Sequence, residues 1–392
     1  MNVKKSALAL AVAALSATVL STSASATTVY DKDGTSMAVG GRIQAVYYSD
    51  KWSPVEDEGS ISTTGRLNLD LRTQLTSNIA AFAFAEWEAA NGENVPDEED
   101  GFDARYMWVG ADFGLFGQVK AGKFEEAIKY AISPTDFFED AGCTGLAGND
   151  DRRETVLQYQ WSGYGVDAFI SYAFARDNEH LDGAYFNGEN VDLDYSWSAA
   201  LGYTSPDILF GPIGVRVGYL AGEFADGETA GVLDHPNNTS TGLLSGARLD
   251  EYSQWAVSAF WGSLEQGPYV AAAYQSRQID YNYDAASGMS SDDYTVSGYE
   301  FTVAYTFANG IKLATGYEAQ TLEMGDGLND LDAATVPVLV MWNITPNVDV
   351  WAEARFDAGT DDDEGASNEN FDLVAGTSYA ENVFSLGMRY NF

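Results

Sequence analysis

The stretch Tyr195-Ser-Trp-Ser-Ala-Ala-Leu-Gly-Tyr203 alternates strictly, with Tyr195, Trp197, Ala199, Leu201 and Tyr203 on one side and Ser196, Ser198, Ala200 and Gly202 on the other. Successive side chains of a strand point to opposite faces, so this segment reads as a strand with one oily and one small or polar face. The large residues are aromatic and sit at its ends, while the other face carries no charge. Such a strand is an unusual piece of a water-soluble protein.

Outward from this stretch the same pattern recurs. Leu67, Leu69 and Leu71 oppose Arg66, Asn68, Asp70 and Arg72; Phe301, Val303, Tyr305 and Phe307 repeat it; and the last ten residues set Phe384, Leu386, Met388, Tyr390 and Phe392 against Ser385, Gly387, Arg389 and Asn391. No segment has the apolar spacing of a long amphipathic helix. Short turns, near 77–78, 113–116, 162–165, 205–212, 262–267, 309–310 and 345–347, alternate with long polar stretches such as 91–102, 124–153, 224–250 and 358–381. A meander of up-and-down hairpins with one short-turn rim and one long-loop rim is implied. A secreted β-sandwich would alternate too, but its outer face would be charged. Here the wet face is rich in Gly, Ser, Ala and Thr, aromatic residues cluster near segment ends as in the girdles of a lipid-facing barrel, and no blade-length repeat supports a propeller. The fold class is therefore all-β, an antiparallel transmembrane β-barrel. Segment counting gives about 17 candidates, and both ends on one rim require an even number, so 371–379 reads as a hairpin arm within the last long loop. Pro337, which removes a ladder donor, is expected near the outer rim.

Residues 1–26 combine Lys4 and Lys5, an uncharged apolar run from Ala7 to Leu20 and the small-residue close Ala24-Ser25-Ala26. This is the pattern of a secretory signal peptide, leaving 27–392 as the barrel. Beyond it no apolar run approaches the roughly 20 residues of a membrane-spanning helix. The formal charge of -39 becomes -41 once the two lysines are removed, which excludes nucleic acid as a partner, since phosphates need clustered Lys and Arg. The single cysteine, Cys143, rules out a disulfide framework and reads as a small buried filler. His180 and His235 lie in polar, turn-rich segments without a nucleophile motif. Histidine-dependent catalysis, a metal centre and a cofactor site are accordingly not expected. The acidic runs Asp97 to Asp100, Asp150-Asp151 and Asp361 to Glu364 read as a solvated rim; a divalent cation bridging lipopolysaccharide is the alternative.

Val29 to Gly34 followed by Val39-Gly-Gly-Arg-Ile-Gln44, then Thr64-Gly-Arg-Leu67, Arg105-Tyr-Met-Trp-Val-Gly110 with Phe113-Gly114, and a terminal Tyr390-Asn-Phe392 stand in an order that resembles the general porins of Gram-negative outer membranes. The resemblance covers the whole mature chain. It implies a homotrimer of 16-stranded barrels with an inward-folded third surface loop, embedded in outer-membrane lipid and lipopolysaccharide, passing small hydrophilic solutes. It also implies that Tyr390 and Phe392 belong to a final strand recognised by the barrel assembly machinery and closed against the first.

In the resembled family the third loop narrows the barrel with acidic residues opposite a basic wall. Residues 124–153 occupy that position, with Asp136, Glu139 and Asp140 on the lumen side and Phe137 and Phe138 anchoring the loop. Arg42, Arg66 and Arg105 match the basic positions and lie on the polar, inward side of their own strands, and a fourth falls on Gln160, which would make the opening less basic. Arg72, Glu88 and Lys120 face the lumen by parity. Opposed charges across a narrow aqueous gap, with an acidic chain overall, predict a diffusion channel that prefers cations. A sugar-specific channel is the competing expectation, with Trp351 and Tyr269 as inward aromatic residues.

Overall fold

The computed structural model describes residues 26–52, 58–91, 102–148, 152–181, 190–229, 247–283, 292–324, 330–360 and 381–392. The expected signal peptide, the arm at 371–379, His235 and the three acidic runs fall outside these residues, apart from Ala26.

Eighteen strand segments form one antiparallel sheet. They are β1 (Thr27–Lys32), β2 (Thr35–Tyr48), β3 (Ser60–Gln74), β4 (Ala80–Asn91), β5 (Phe102–Asp112), β6 (Gln118–Glu125), β7 (Arg152–Gly163), β8 (Val166–Ala173), β9 (Arg176–Glu179), β10 (Val191–Thr204), β11 (Ile213–Phe224), β12 (Arg248–Gly262), β13 (Gly267–Asn282), β14 (Asp292–Thr306), β15 (Ile311–Met324), β16 (Leu331–Thr345), β17 (Val348–Asp357) and β18 (Val383–Asn391). β8 and β9 both pair with β10 and make one interrupted stave. β1 pairs only with the first part of β2. β18 takes over along the same edge from Arg42 to Tyr48, and Gly41 and Phe392 exchange backbone hydrogen bonds of 2.9 and 3.0 Å. The sheet thus closes on itself as a 16-stranded barrel, the last strand against the first as the resemblance implies. Closure removes the unpaired edges that a sheet would otherwise expose.

The parity of the deciding stretch holds. Trp197 and Leu201 are 42% and 52% exposed, whereas Ser198 is 0% exposed and Ser196 and Ala200 are buried. Across the barrel the exposed set is Leu, Val, Ile and aromatic residues, and the buried set includes Gln254, Gln275, Arg277, Glu300, Thr302, Glu318 and Ser385. This inside-out distribution fits a wall between lipid and a polar interior, and no sandwich could pack it.

Pro337 departs from expectation. It lies mid-strand in β16, opposite Arg355 of β17. The ladder to β15 lapses between the pairs Thr315–Val338 and Glu318–Thr335, where the missing N–H would have fallen. Beside the gap, Thr315 Oγ1 donates to the Pro337 carbonyl at 2.9 Å.

The interior is half filled. After β6 the chain turns inward through the short helix α1 (Lys129–Ile132), and the segment to Gly148 lies against β10 to β17. Ala131, Ile132, Leu146 and Ala147 pack with Leu220, Ile279, Tyr294 and Leu322 of the wall. Gly298 marks the closest approach: a Cβ there would strike the carbonyl oxygen of Gly145.

Candidate functional site

The inward loop is held chiefly by carboxylates of the wall. Glu353 accepts the backbone N–H groups of Glu139 at 2.9 Å, Asp140 at 3.0 Å and Ala141. Glu318 accepts from the N–H of Thr144 at 3.2 Å, and Glu300 from that of Gly145 at 3.1 Å. Neutral donors complete the grip: Gln254 to the Ala147 carbonyl, Ser258 to that of Ala131 and Tyr269 to that of Pro134 at 2.8, 2.6 and 2.7 Å. Buried backbone donors need partners, and a carboxylate facing consecutive N–H groups supplies several at once. Phe137 and Phe138 stack on each other, and Phe137 meets Tyr269 edge-on, so both anchor the loop as expected.

Between this loop and the staves β2 to β5 and β18 lies a cavity of about 690 Å³. Arg42, Arg66, Arg105 and Arg389 line its wall side, and Asp136, Glu139 and Asp140 its loop side. The six residues expected at the narrowing therefore surround one space. Arg105 reaches it by an unexpected route. Met107 and Val109 are exposed outward, and strict alternation would send Arg105 outward with them. Instead Glu86 stands opposite Tyr106 and Trp87 opposite Ala104, which leaves Arg105 as the extra residue of a β-bulge that turns it inward.

Most of these charges are already paired. Arg66 Nε lies 2.7 Å from Glu88 Oε1, Arg105 Nη1 lies 2.5 Å from Glu88 Oε2, and Arg105 Nε lies 3.3 Å from Glu86. Glu88 is thus the shared partner of two arginines. Arg389 forks onto Glu139 at 2.6 and 3.0 Å and reaches Asp349 at 3.1 Å, so one ion pair bridges the gap from wall to loop. Asp136 is bound by Lys129 at 2.7 Å and by the Cys143 thiol at 3.3 Å. Asp140 accepts from Ser385 Oγ, Trp351 Nε1 and Tyr48 OH at 2.6, 2.7 and 2.9 Å. Burial raises its carboxyl above the ordinary range, and those three donors counter the rise. Arg42 alone among the four arginines has no carboxylate within 4.0 Å among the described residues.

The remaining expected lumen residues lie away from the cavity. Gln160 pairs with Gln118, the first residue of β6, and its side-chain amide donates to the Gln118 side chain at 3.2 Å; the register places it at the short-turn rim. Gln160 does not line the cavity, whereas a fourth arginine, Arg389, does. Arg72 pairs with Asp112 at 2.6 Å near that same rim. Lys120 is buried over the rings of Phe124 and Trp108, at 3.9 and 4.6 Å from their centroids. Cys143 is half-buried with φ +62° and lines the cavity, so it is not simple filler. Arg389, Glu300, Glu318 and Glu353 are the residues that sequence reasoning missed. Their inward parity was readable, but their partners lie 155 to 250 positions away.

Comparison with known proteins agrees with this geometry. Outer membrane protein U of Vibrio parahaemolyticus is 25% identical over 402 residues, covering 99% of this chain and 100% of that protein. Among solved structures, Salmonella typhi OmpF in complex with daunomycin superposes with a TM-score of 0.68 at 15% identity, covering 93% of this chain and all of that one. In vitro folded OmpT of Vibrio cholerae, in its trimer form, gives 0.60 at 16% identity, covering 92% and 100%. The family model described as Gram-negative porin matches residues 9–362. A closed 16-stranded wall with an oily exterior, a charged interior narrowed by an inward loop and a family match along most of its length together establish that the chain belongs to the Gram-negative porins, channel proteins of the outer membrane.

Proposed function

We propose that this porin is a diffusion channel for small hydrophilic solutes and ions that prefers cations. The observation that carries the reading is the charge distribution at the cavity. Three of its four arginines are held by carboxylates, and the chain as a whole bears -39. Paired charges still order water and orient dipolar solutes, but they attract anions weakly, so the acidic surroundings dominate the potential that an ion meets. Trp351 and Tyr269 are buried against the loop and offer no stacking track, which argues against a sugar-specific channel.

Three further assignments belong to the same reading. Residues 1–26 are removed on export, in keeping with a first strand that starts at Thr27. The barrel associates as a homotrimer within lipid and lipopolysaccharide, as the trimer form of the OmpT relative suggests. Tyr390 and Phe392, exposed on the oily face of the closing strand, serve as the assembly signal. Planar-bilayer recording under a KCl gradient tests selectivity and subunit number together. A zero-current potential of cationic sign and three equal closing steps are expected; an anionic sign would overturn the preference.

A further inference from the structure

The turns of the short-turn rim are of two kinds. Around most of it the tips are polar: Ser77-Asn78 between β3 and β4, Glu265-Gln266 between β12 and β13, Asn309 between β14 and β15. Along the arc from β5 to β11, three successive turns are apolar. Leu115 and Phe116 join β5 to β6, Tyr164 joins β7 to β8, and Leu209 and Phe210 lie between β10 and β11. Leu115, Tyr164 and Leu209 are 92%, 98% and 88% exposed, more than any other large hydrophobic residue described.

Two of these turns, β5 to β6 and β10 to β11, are fixed in place by aromatic side chains. The Trp161 indole donates to the Leu115 carbonyl at 3.1 Å, Tyr159 OH to that of Phe116 at 2.8 Å, and the Trp261 indole to that of Ile208 at 2.8 Å. Phe210 stacks on Trp261 with centroids 4.0 Å apart. Trp342 anchors Asn309 in the same way at 3.2 Å, so the anchoring is shared around the rim and only the tip chemistry changes. Tyr159, Trp161 and Trp261 belong to the outward face of their staves. The apolar tips therefore continue the lipid-facing surface downward, with Asp207 beside Ile208 as an exposed charge in the β10 to β11 turn.

We propose that this arc seats in the phospholipid headgroup layer of the periplasmic leaflet, with its apolar tips at the acyl boundary, while the polar-tipped turns stay in water. Short turns are periplasmic in such barrels, and large apolar side chains left in water would each forgo the free energy of burial. The polar tips would lose hydration if drawn to the same depth. The barrel consequently sits deeper on the β5 to β11 side.

Nitroxide labels read this directly. In a Cys143→Ser background, the full barrel reconstituted in phosphatidylethanolamine–phosphatidylglycerol vesicles is labelled singly through Leu115→Cys, Tyr164→Cys, Leu209→Cys, Asn78→Cys or Asn309→Cys. Phe116→Cys replaces any apolar-tip variant that does not assemble. The first three labels are expected to relax faster with oxygen than with a water-soluble nickel chelate, and the two asparagine sites the reverse. Equal nickel access at all five sites overturns the proposal. So does spin–spin broadening at the apolar sites, which would assign the arc to contact between copies.

Discussion

The wall carries two sets of inward carboxylates that do opposite work. On β14, β15 and β17, Glu300, Glu318 and Glu353 face backbone N–H groups of the loop and hold it. On β4, Glu86 and Glu88 face arginines and restrain those. Both sets occupy the wet face of strands whose other face is apolar, and by composition they are indistinguishable. What separates them is what each one meets: the inward loop for Glu300, Glu318 and Glu353, and the arginines of the neighbouring staves β3 and β5 for Glu86 and Glu88. A carboxylate among N–H groups becomes a structural grip, whereas one among guanidinium groups subtracts charge from a passage. The first fixes how wide the opening is, and the second what charge it offers.

The largest effect is expected on the gripping side. Glu353→Ala leaves three loop N–H groups without their acceptor, each costing about 1–3 kcal/mol if it stays dry. Detachment of the loop is the way out, and about 3 kcal/mol moves such an equilibrium roughly a hundredfold. Single-channel conductance should rise and larger sugars should enter proteoliposomes, while Glu353→Gln, which keeps one acceptor oxygen, should fall between. Unchanged conductance in the alanine variant would show that the neighbouring grips suffice. Gly298→Val attacks the loop sterically at another point, where β14 meets Gly145. Its side chain would meet the Gly145 carbonyl, and overpacking of about 1–3 kcal/mol should push the loop into the lumen, lowering conductance where Glu353→Ala raises it.

Smaller effects, in selectivity more than in width, are expected on the arginine side. Glu88→Gln frees Arg66 and leaves Arg105 only its contact with Glu86, so the zero-current potential in a KCl gradient should move toward anions. Arg42→Gln removes the arginine that lacks a carboxylate and should move it toward cations. The two shifts therefore have opposite signs, and equal signs would contradict the division of labour between the two carboxylate sets. Both should weaken at high salt, where the screening length falls from about 10 Å at 0.1 M to about 3 Å at 1 M.

Much of this was legible in the sequence, for reasons that differ from residue to residue. Strands were visible because a wall between lipid and water imposes a period of two along every stave, as Tyr195 to Tyr203 displays. Closure was expected only through the resemblance of the last strand to its family, and the strand does pair with β2. The level of a residue within the lumen was not. Gln160, Arg72 and Lys120 face inward as parity requires, yet their height depends on turn positions and register, which periodicity does not encode. Arg105 was read as inward and does line the cavity, but it gets there through a bulge that alternation counted back from Met107 does not reveal. Glu300, Glu318, Glu353 and Arg389 escaped because a loop distant in sequence gives them their roles.

The smallest effect concerns Cys143, which stands in the loop on the boundary between the two regions. Burial, with Asp136 next in weight, pushes its thiol well above the ordinary range, so it remains a neutral donor to Asp136 at neutral pH. Asp136 is also bound by Lys129, and that charge-assisted bond is the stronger of its two contacts. Cys143→Ser keeps a donor of similar size, and serine tolerates the backbone at φ +62° no worse than cysteine. Conductance and zero-current potential should therefore stay within error of the parent, and the parent thiol should react slowly with a charged methanethiosulfonate although it lines the cavity. Fast modification accompanied by channel block would mean that the loop leaves its grip often enough to expose the thiol. The carboxylates of β14 to β17 would then be weaker holds than their geometry implies.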